Sequence, residues 1–445
     1  MRFRVAFADK SGAFVKSTDT LWKEGLGMDE KWSAWQLGPV SLLVALMPLS
    51  FTVSGHAKAL PSVLLLLAGL ALLWRHPATR RSYRHARPVI VVCLLGLLYP
   101  AANILGHGLG WKQFDRPSHI LLYLVTAAVF SLPLRMRWVW LGFSLTAILL
   151  GTVCIVQHDV LGIARAYGLN GGGWGAIEFA MVLLVLSLLA WIRVLFVPGS
   201  RLEQGLHGAG AVFAMYGALL TQSRGPLLAF VPALLLLLLL YARRTRHWRR
   251  ALLLLGAIIA GSVLAGASVH EVLMHRLAAV GPEVATYNHR DDAKGAVRER
   301  LEMWRTASHA FLAHPLAGVG TDQFGVYARQ QIAAGHANPV IAKYDHPHNE
   351  YLDAAATGGL PGLLVVLLIF GVPFGYFARH LWHEGEAVMA PALAGLVVVA
   401  MYALCSLTDN VFYRTMPHSM YFFLVLGLAV LVGRLSTQQQ VAQRV

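Results

Sequence analysis

The sequence predicts an all-α polytopic membrane protein of about twelve transmembrane helices with one large helical loop outside the cytoplasm. Three observations carry that reading. The 445 residues are 57% hydrophobic and 13% charged, with mean hydropathy +0.57, which exceeds what one water-soluble core needs. The apolar residues fall in runs of about 15 to 25, the length of a membrane span. Basic residues gather between alternate runs, at Arg75, Arg80, Arg81, Arg84 and Arg87, at Arg135 and Arg137, and at Arg243, Arg244, Arg246, Arg249 and Arg250. Short loops of that kind are retained on the cytoplasmic side during insertion.

Taken in order, residues 1–37 are polar and form a cytoplasmic segment, with no cleavable signal peptide before the first apolar run. Residues 38–268 hold nine spans, opening near Pro39, Leu60, Val89, His119, Trp138, Trp174, Leu206, Pro226 and Ala251. Residues 269–359 form the external loop. It is basic, but long loops translocate largely regardless of charge. Three further spans over 360–434 open near Leu360, Val388 and Pro417, and 435–445 is a cytoplasmic tail. An even number of spans puts both termini inside, where Arg2, Arg4, Lys10, Arg434 and Arg444 fit. The net charge of +15 is then explained by topology, and no nucleic-acid partner is expected. Cys93, Cys154 and Cys405 lie in separate apolar runs without metal-ligand spacing, and read as packing residues.

Within the loop, Val297, Leu301, Trp304, Ser308 and Phe311 recur at helical spacing with Glu299 and Glu302 opposite, which predicts an amphipathic helix ending near His314-Pro315. A second helix is expected from Asn349, a good N-cap, to Gly358-Gly359, after which Pro361 suits the first turn of the next span. His348 then sits just before a helix N-terminus.

Ser223-Arg224-Gly225 lies at the outer end of a span. An arginine there either snorkels to the headgroups or faces an anionic lipid headgroup with its planar fork. Arg300, one turn before Trp304, is a second such candidate, with Arg298 and Arg305 on the opposite edge of the helix. In Asp345-His346-Pro347-His348-Asn349-Glu350-Tyr351-Leu352-Asp353 three readings stay open. His346, His348 and Glu350 have spacing that a metal could use, although Pro347 and the helix start break their common face. They also suit a surface histidine pair. Alternatively His348 is a general base, its neutral form favoured by the helix start and its ring oriented by Glu350 or Asp353. Asp291-Asp292, set among His289, Arg290 and Lys294, reads as a solvated pair, and the glycines of Asn170–Gly175 read as a flexible lead-in, since the Lys-Ser/Thr of a phosphate loop is missing.

Ser223-Arg224-Gly225, R-x-x-x-W from Arg300 to Trp304, Pro315-Leu-Ala-Gly318-Val-Gly320 and the HPHNEYLD run, in this order and placement, resemble the O-antigen ligase family. Its superfamily includes the O-antigen polymerases and protein O-oligosaccharyltransferases. The resemblance covers about Ala209 to Gly362 and implies a GT-C-type glycosyltransferase of the bacterial inner membrane with its active site facing the periplasm. It implies an undecaprenyl-diphosphate-linked O-antigen donor and a lipid A core acceptor, with inversion at the anomeric centre and without metal or other cofactor. Arg224 and Arg300 match the family's diphosphate-binding arginines and His348 its catalytic histidine. Ser223, Arg298, His346, Asn349 and Glu350, beside them in the same motifs, are expected to line the substrate site. A polymerase or protein-targeting transferase would share the donor chemistry. The short tail after the last span favours the ligase. A lipid or glycan transporter would place its charges at the bilayer midplane, whereas here they gather at one face.

Overall fold

The computed structural model describes residues 34–53, 59–169, 173, 175–265, 278–288, 293–382 and 386–442. The expectations for residues 1–33, for Asn170–Gly172 and Trp174, and for Asp291-Asp292 lie outside them. Among the described residues every regular element is helical. The helices are α1 (Ala34–Thr52), α2 (Ala59–Arg75), α3 (Pro77–His85), α4 (Arg87–Gly106), α5 (Asp115–Thr126), α6 (Met136–Ile155), α7 (Ala176–Phe196), α8 (Arg201–Leu220), α9 (Arg224–Thr245) and α10 (Trp248–Ala265). Then come α11 (Val280–Ala285), α12 (Ala296–Ala313), α13 (Phe324–Ala333), α14 (Glu350–Arg379), α15 (Glu386–Cys405) and α16 (Thr415–Ala442).

A helix opens close to each predicted span start, with Pro39 against Ala34 and Leu206 against Arg201 the widest of these offsets, except at Leu360, which follows a break inside α14 at Gly359. Fewer of them qualify as spans. Seven described helices are long and apolar enough to cross a membrane, or eight if α2 and α3, bent by 99° at His76, form one broken span. Among the others, α1 is apolar but shorter, α5 has 12 residues and opens with Asp115-Arg116, and α8 opens with Arg201 and Glu203. The basic stretch expected as a loop at Arg80–Arg84 is the helix α3. Pro77 suits its first turn, and Arg80 reaches back to the carbonyl of Trp74.

The bundle is centred on α7, α15 and α16, whose apolar windows are 83%, 89% and 83% buried. Around them Leu60, Leu67, Leu98, Leu145, Leu228 and Leu253 point outward and exposed, an apolar exterior suited to lipid rather than water. Cys93, Cys154 and Cys405 are free and buried in three different helices, as packing residues should be. At the far end of α16, Gly433 packs against the carbonyl of Ser82 in α3 and Arg434 donates to the carbonyl of Leu132. The arginine-rich α3 therefore lies some 18 residues, or about 27 Å of helix, from Thr415, where the loop segments gather.

One clasp ties the loop region to the bundle. Helix α14 is broken at Gly359, whose φ of 63° and ψ of −160° are not helical. The break leaves the carbonyls of Ala356 and Thr357 without helical donors, the second because Pro361 has no N–H. Val319 N and Gly320 N donate to them at 2.9 and 3.0 Å, while Leu360 N turns to the carbonyl of Pro315 at 2.8 Å. Asn103 in α4 fixes the same turn by donating to Ala317 O and accepting from Thr321 N. Gly318, at φ 66°, approaches Thr357 so closely that a Cβ would lie 2.3 Å from its carbonyl carbon, which accounts for a glycine there.

Candidate active site

Two segments distant in sequence are laced together at this end of the bundle: 345–353, which leads into α14, and 406–414, which joins α15 to α16. Asn349 caps α14 as expected, its side chain accepting from Leu352 N at 3.0 Å, and its amide donates to Leu407 O. Its own N–H donates to Asn410 Oδ1. Glu350 N donates to Ser406 O, and the Glu350 carboxylate accepts from Phe412 N at 3.0 Å. Asp353 accepts from Asn410 Nδ2 at 2.8 Å. His348, at φ 51°, is held in an unusual left-handed conformation within this lacing.

The carboxylate that meets His348 is Asp409. Its Oδ1 lies 2.9 Å from His348 Nδ1 and also accepts from Asn410 N at 2.8 Å. Glu350 and Asp353, expected to orient the histidine, do not contact it; both are occupied in joining the two segments. Burial pushes the Asp409 carboxyl up, but the hydrogen bond and charge of His348 and the Asn410 N–H outweigh that and hold it below the usual carboxylate range. An ionised Asp409 fixes the proton on His348 Nδ1 and leaves Nε2 as the lone-pair nitrogen. His346 packs edge-on against His348, with ring centroids 4.4 Å apart. Its Nδ1 is 3.2 Å from Asn410 Oδ1, which already accepts from Asn349 N, so His346 is the donor there. Burial, followed by the neighbouring His348, lowers its pKa to about 4, so it is neutral near pH 7.

Helix α12 supports this loop from one side. Trp304 Nε1 donates to Pro347 O at 3.0 Å, Glu299 accepts from the hydroxyl of Tyr344, and the Tyr344 ring meets His348 edge-on at 5.5 Å. The helix is where the sequence predicts it, but its buried face differs. Glu302, Met303, Thr306, Ala307 and Ala310 are buried, while Ser308 is exposed. Small residues let the helix pack closely, and Glu302 is fully paired in its buried position by Tyr287, Arg305 and Asn338 N, which offsets its desolvation. Arg300, one turn before Trp304, has its Nε buried without a hydrogen-bond partner among the described residues. The Nε of Arg298 is likewise buried without a partner among the described residues, while its Nη2 donates to Thr286.

From the other side comes the start of α9. Gln222, at φ 54°, donates to Ala164 O, and Ser223 Oγ donates to Ala176 O at the start of α7. Arg165, not singled out by sequence, donates to Thr221 O at 2.8 Å and to Ser223 Oγ at 3.2 Å. Arg224 then opens α9, half-buried. The next residue, Gly225, touches Thr408: a Cβ there would lie 2.5 Å from Thr408 Oγ1. Arg224 is therefore one residue from a contact with the neighbour of Asp409. The starts of α7, α9 and α14 all meet here, and each adds the partial positive charge of a helix N-terminus. The structure thus brings Ser223, His346, His348, Asn349 and Glu350 to one loop pair and its supports, carries Arg224 beside Gly225 and Arg300 on the helix whose Glu299 and Trp304 hold the loop, and turns Arg298 toward α11.

His346, His348 and Asp409 offer ligand atoms within 4.8 Å of one another, so metal binding is a concrete alternative, with Asp409 in the place where the sequence suggested Glu350. The Nδ1 atoms of both rings are already engaged, by Asp409 and Asn410, and ligation through them would break both contacts. Chelation is accordingly expected to leave the activity of the purified protein intact. A loss on chelation that one divalent ion restores would replace the acid–base reading with a metal-assisted one.

The sequence model of a family described as O-antigen ligase matches residues 209–367, a stretch that holds Arg224, Arg300, the Gly318 clasp and His348. An O-antigen ligase of Pseudomonas aeruginosa is 25% identical over 341 residues, covering 74% of this chain and 72% of its own. A Haemophilus influenzae protein described as uncharacterized is 20% identical over 326 residues, 72% of this chain and 80% of that one. The chain is a multi-helical membrane protein whose residues 209–367 match the sequence model of the O-antigen ligase family.

Proposed function

We propose that this protein is an O-antigen ligase with about twelve transmembrane helices of the GT-C type, acting in the periplasm on the outer face of the inner membrane. It transfers an undecaprenyl-diphosphate-linked glycan to the lipid A core oligosaccharide. The main support is the His348–Asp409 pair, which leaves Nε2 able to take a proton. A sugar hydroxyl is a poor nucleophile, and a positioned base contributes about 10² to 10⁴ in rate. The hydroxyl oxygen bonds to the anomeric carbon from the side opposite the diphosphate, the carbon–oxygen bond to the diphosphate breaks with its electron pair, and the proton passes to His348 Nε2. The configuration inverts. Arg224, Arg300 and the converging helix N-termini stabilise the departing charge. The distance between the arginine-rich α3 and the site supports the periplasmic assignment.

Deletion of the gene in its host tests this reading: core lipopolysaccharide without O-chain, with the lipid-linked donor accumulating, is expected. Capping of the core by a single repeat would indicate a polymerase. Asp409→Asn gives a finer test. The amide keeps an oxygen for Nδ1–H and for Asn410 N but loses the charge that stabilises the imidazolium formed on proton transfer, so turnover is expected to fall at least about tenfold. Asp409→Glu is expected to recover part of the rate and shift its pH profile, and donor binding should hold in both. Full activity in Asp409→Asn would remove Asp409 from the mechanism.

A further inference from the structure

A polar cleft of about 960 Å³ lies on the side of the His348 loop toward α5, between the short turn Trp111–Phe114 and Asp345. Its charges balance: Lys112, Arg116 and Arg329 against Asp115, Asp322 and Asp345. Two pairs are closed, Arg116 with Asp322 at 2.5 Å and Arg329 with Asp345 at 3.4 Å. Such a lining does not select an anion, but its carboxylates, guanidinium groups and amide match the donors and acceptors of sugar hydroxyls. Trp111, 56% exposed, offers a flat aromatic face to the C–H side of a sugar ring. Gln113 provides the specific observation: its Oε1 is buried and has no hydrogen-bond partner among the described residues, and it lines both this cleft and the cavity beneath it. A buried acceptor without a donor is costly, and an incoming hydroxyl would satisfy it.

The cleft ends at the catalytic loop. The Arg116 guanidinium lies 4.3 Å over the Tyr413 ring, Tyr413 lies 4.1 Å from the His346 ring, and His346 packs on His348. Inward, the cleft meets a cavity between α4, α5, α14 and α16 with apolar walls at Ile120, Val366, Ile369 and Phe422. A polar trough above an apolar cavity suits a saccharide anchored to a lipid. Helices α9 and α12, which carry Arg224 and Arg300, meet the same loop pair through Gly225 and Trp304, and neither arginine lines this cleft. In a direct displacement the nucleophile arrives opposite the leaving group, so the cleft lies where the acceptor approaches.

We propose that this cleft binds the sugar chain of the acceptor glycolipid, with Gln113 accepting a hydroxyl and Trp111 stacking on a ring; the proposal rests on the transferase reading above. The experiment uses the full-length protein in detergent, a purified lipid-diphosphate-linked glycan and core lipopolysaccharide without O-chain. The KM for each substrate is measured for Gln113→Leu, Gln113→Asn and Trp111→Ala, with thermal unfolding to identify variants that retain the fold. Folded variants are expected to show the acceptor KM raised about tenfold, the size of one lost buried hydrogen bond, and the donor KM unchanged within about twofold. A rise in the donor KM instead assigns the cleft to the donor glycan and overturns the proposal, as does an unchanged acceptor KM in all folded variants. A wild-type protein that transfers nothing to core lipopolysaccharide defeats the transferase reading itself, a failure distinct from the other two.

Discussion

His348→Ala is expected to slow single-turnover transfer by about 10² to 10⁴ while donor binding holds, because a general base acts on the acceptor's proton and does little to retain the diphosphate. His346→Ala is the internal control. Its imidazole touches His348, but its Nδ1–H is spent on Asn410 and its pKa of about 4 makes it a weak base with little driving force for proton transfer near pH 7. It supports the loop by packing, so its loss should cost far less than that of His348. Both variants are measured at matched expression and folding. An inactive His346→Ala beside an active His348→Ala would show that the roles are reversed, and two active variants would place the chemistry elsewhere.

The parts of this site that were legible in the sequence are those with a local cause. Asn349 is readable as a cap because capping involves neighbours in the chain, and it accepts from Leu352 N. The break at Gly359 is readable because two glycines precede a proline. Helix starts follow the apolar runs because a span must be apolar along its length. Asp409 was not legible. It lies 61 residues from His348 in the short turn after α15, and the lacing of Asn349, Glu350 and Asp353 to 406–412 is tertiary. The available signal was an acid–amide pair, Asp409-Asn410, at the edge of an apolar run, where ionisable groups are costly and often functional. The buried face of α12 was misread for a related reason. Periodicity ranks Trp304 above Ala307, but close packing favours the small residue, and Glu302 becomes buried once Tyr287, Arg305 and Asn338 supply its partners. Fewer described helices pass as spans by length and composition than there are apolar runs, because one span can be divided between two helices, as in the bent pair α2 and α3.

Arg224→Ala and Arg300→Ala are expected to differ in kind from His348→Ala, weakening donor binding as well as turnover. Charge-assisted contacts to phosphate exist in the bound ground state and strengthen as the leaving diphosphate gains charge. For a well-placed donor the loss of transition-state stabilisation is about 3 to 4 kcal/mol, or about 10² to 10³ in rate. The two positions should not be equivalent. Arg224 stands at the start of α9, beside the starts of α7 and α14, where helix dipoles still favour an anion after the guanidinium is removed. Arg300 lies just past the first turn of α12, which opens at Ala296, where the terminal field has already weakened, so its alanine variant should lose more donor affinity. The buried Nε of Arg300, without a partner among the described residues, marks a donor that a phosphate oxygen would satisfy. Lysine at either position should restore part of the affinity and less of the rate, since it returns the charge without the bidentate fork. Donor binding and single-turnover transfer measured for the four variants decide the matter. If Arg224→Ala and Arg300→Ala bind donor as tightly as the wild type and transfer normally, the diphosphate sits elsewhere, and the convergence of α9 and α12 on the His348 loop serves packing alone.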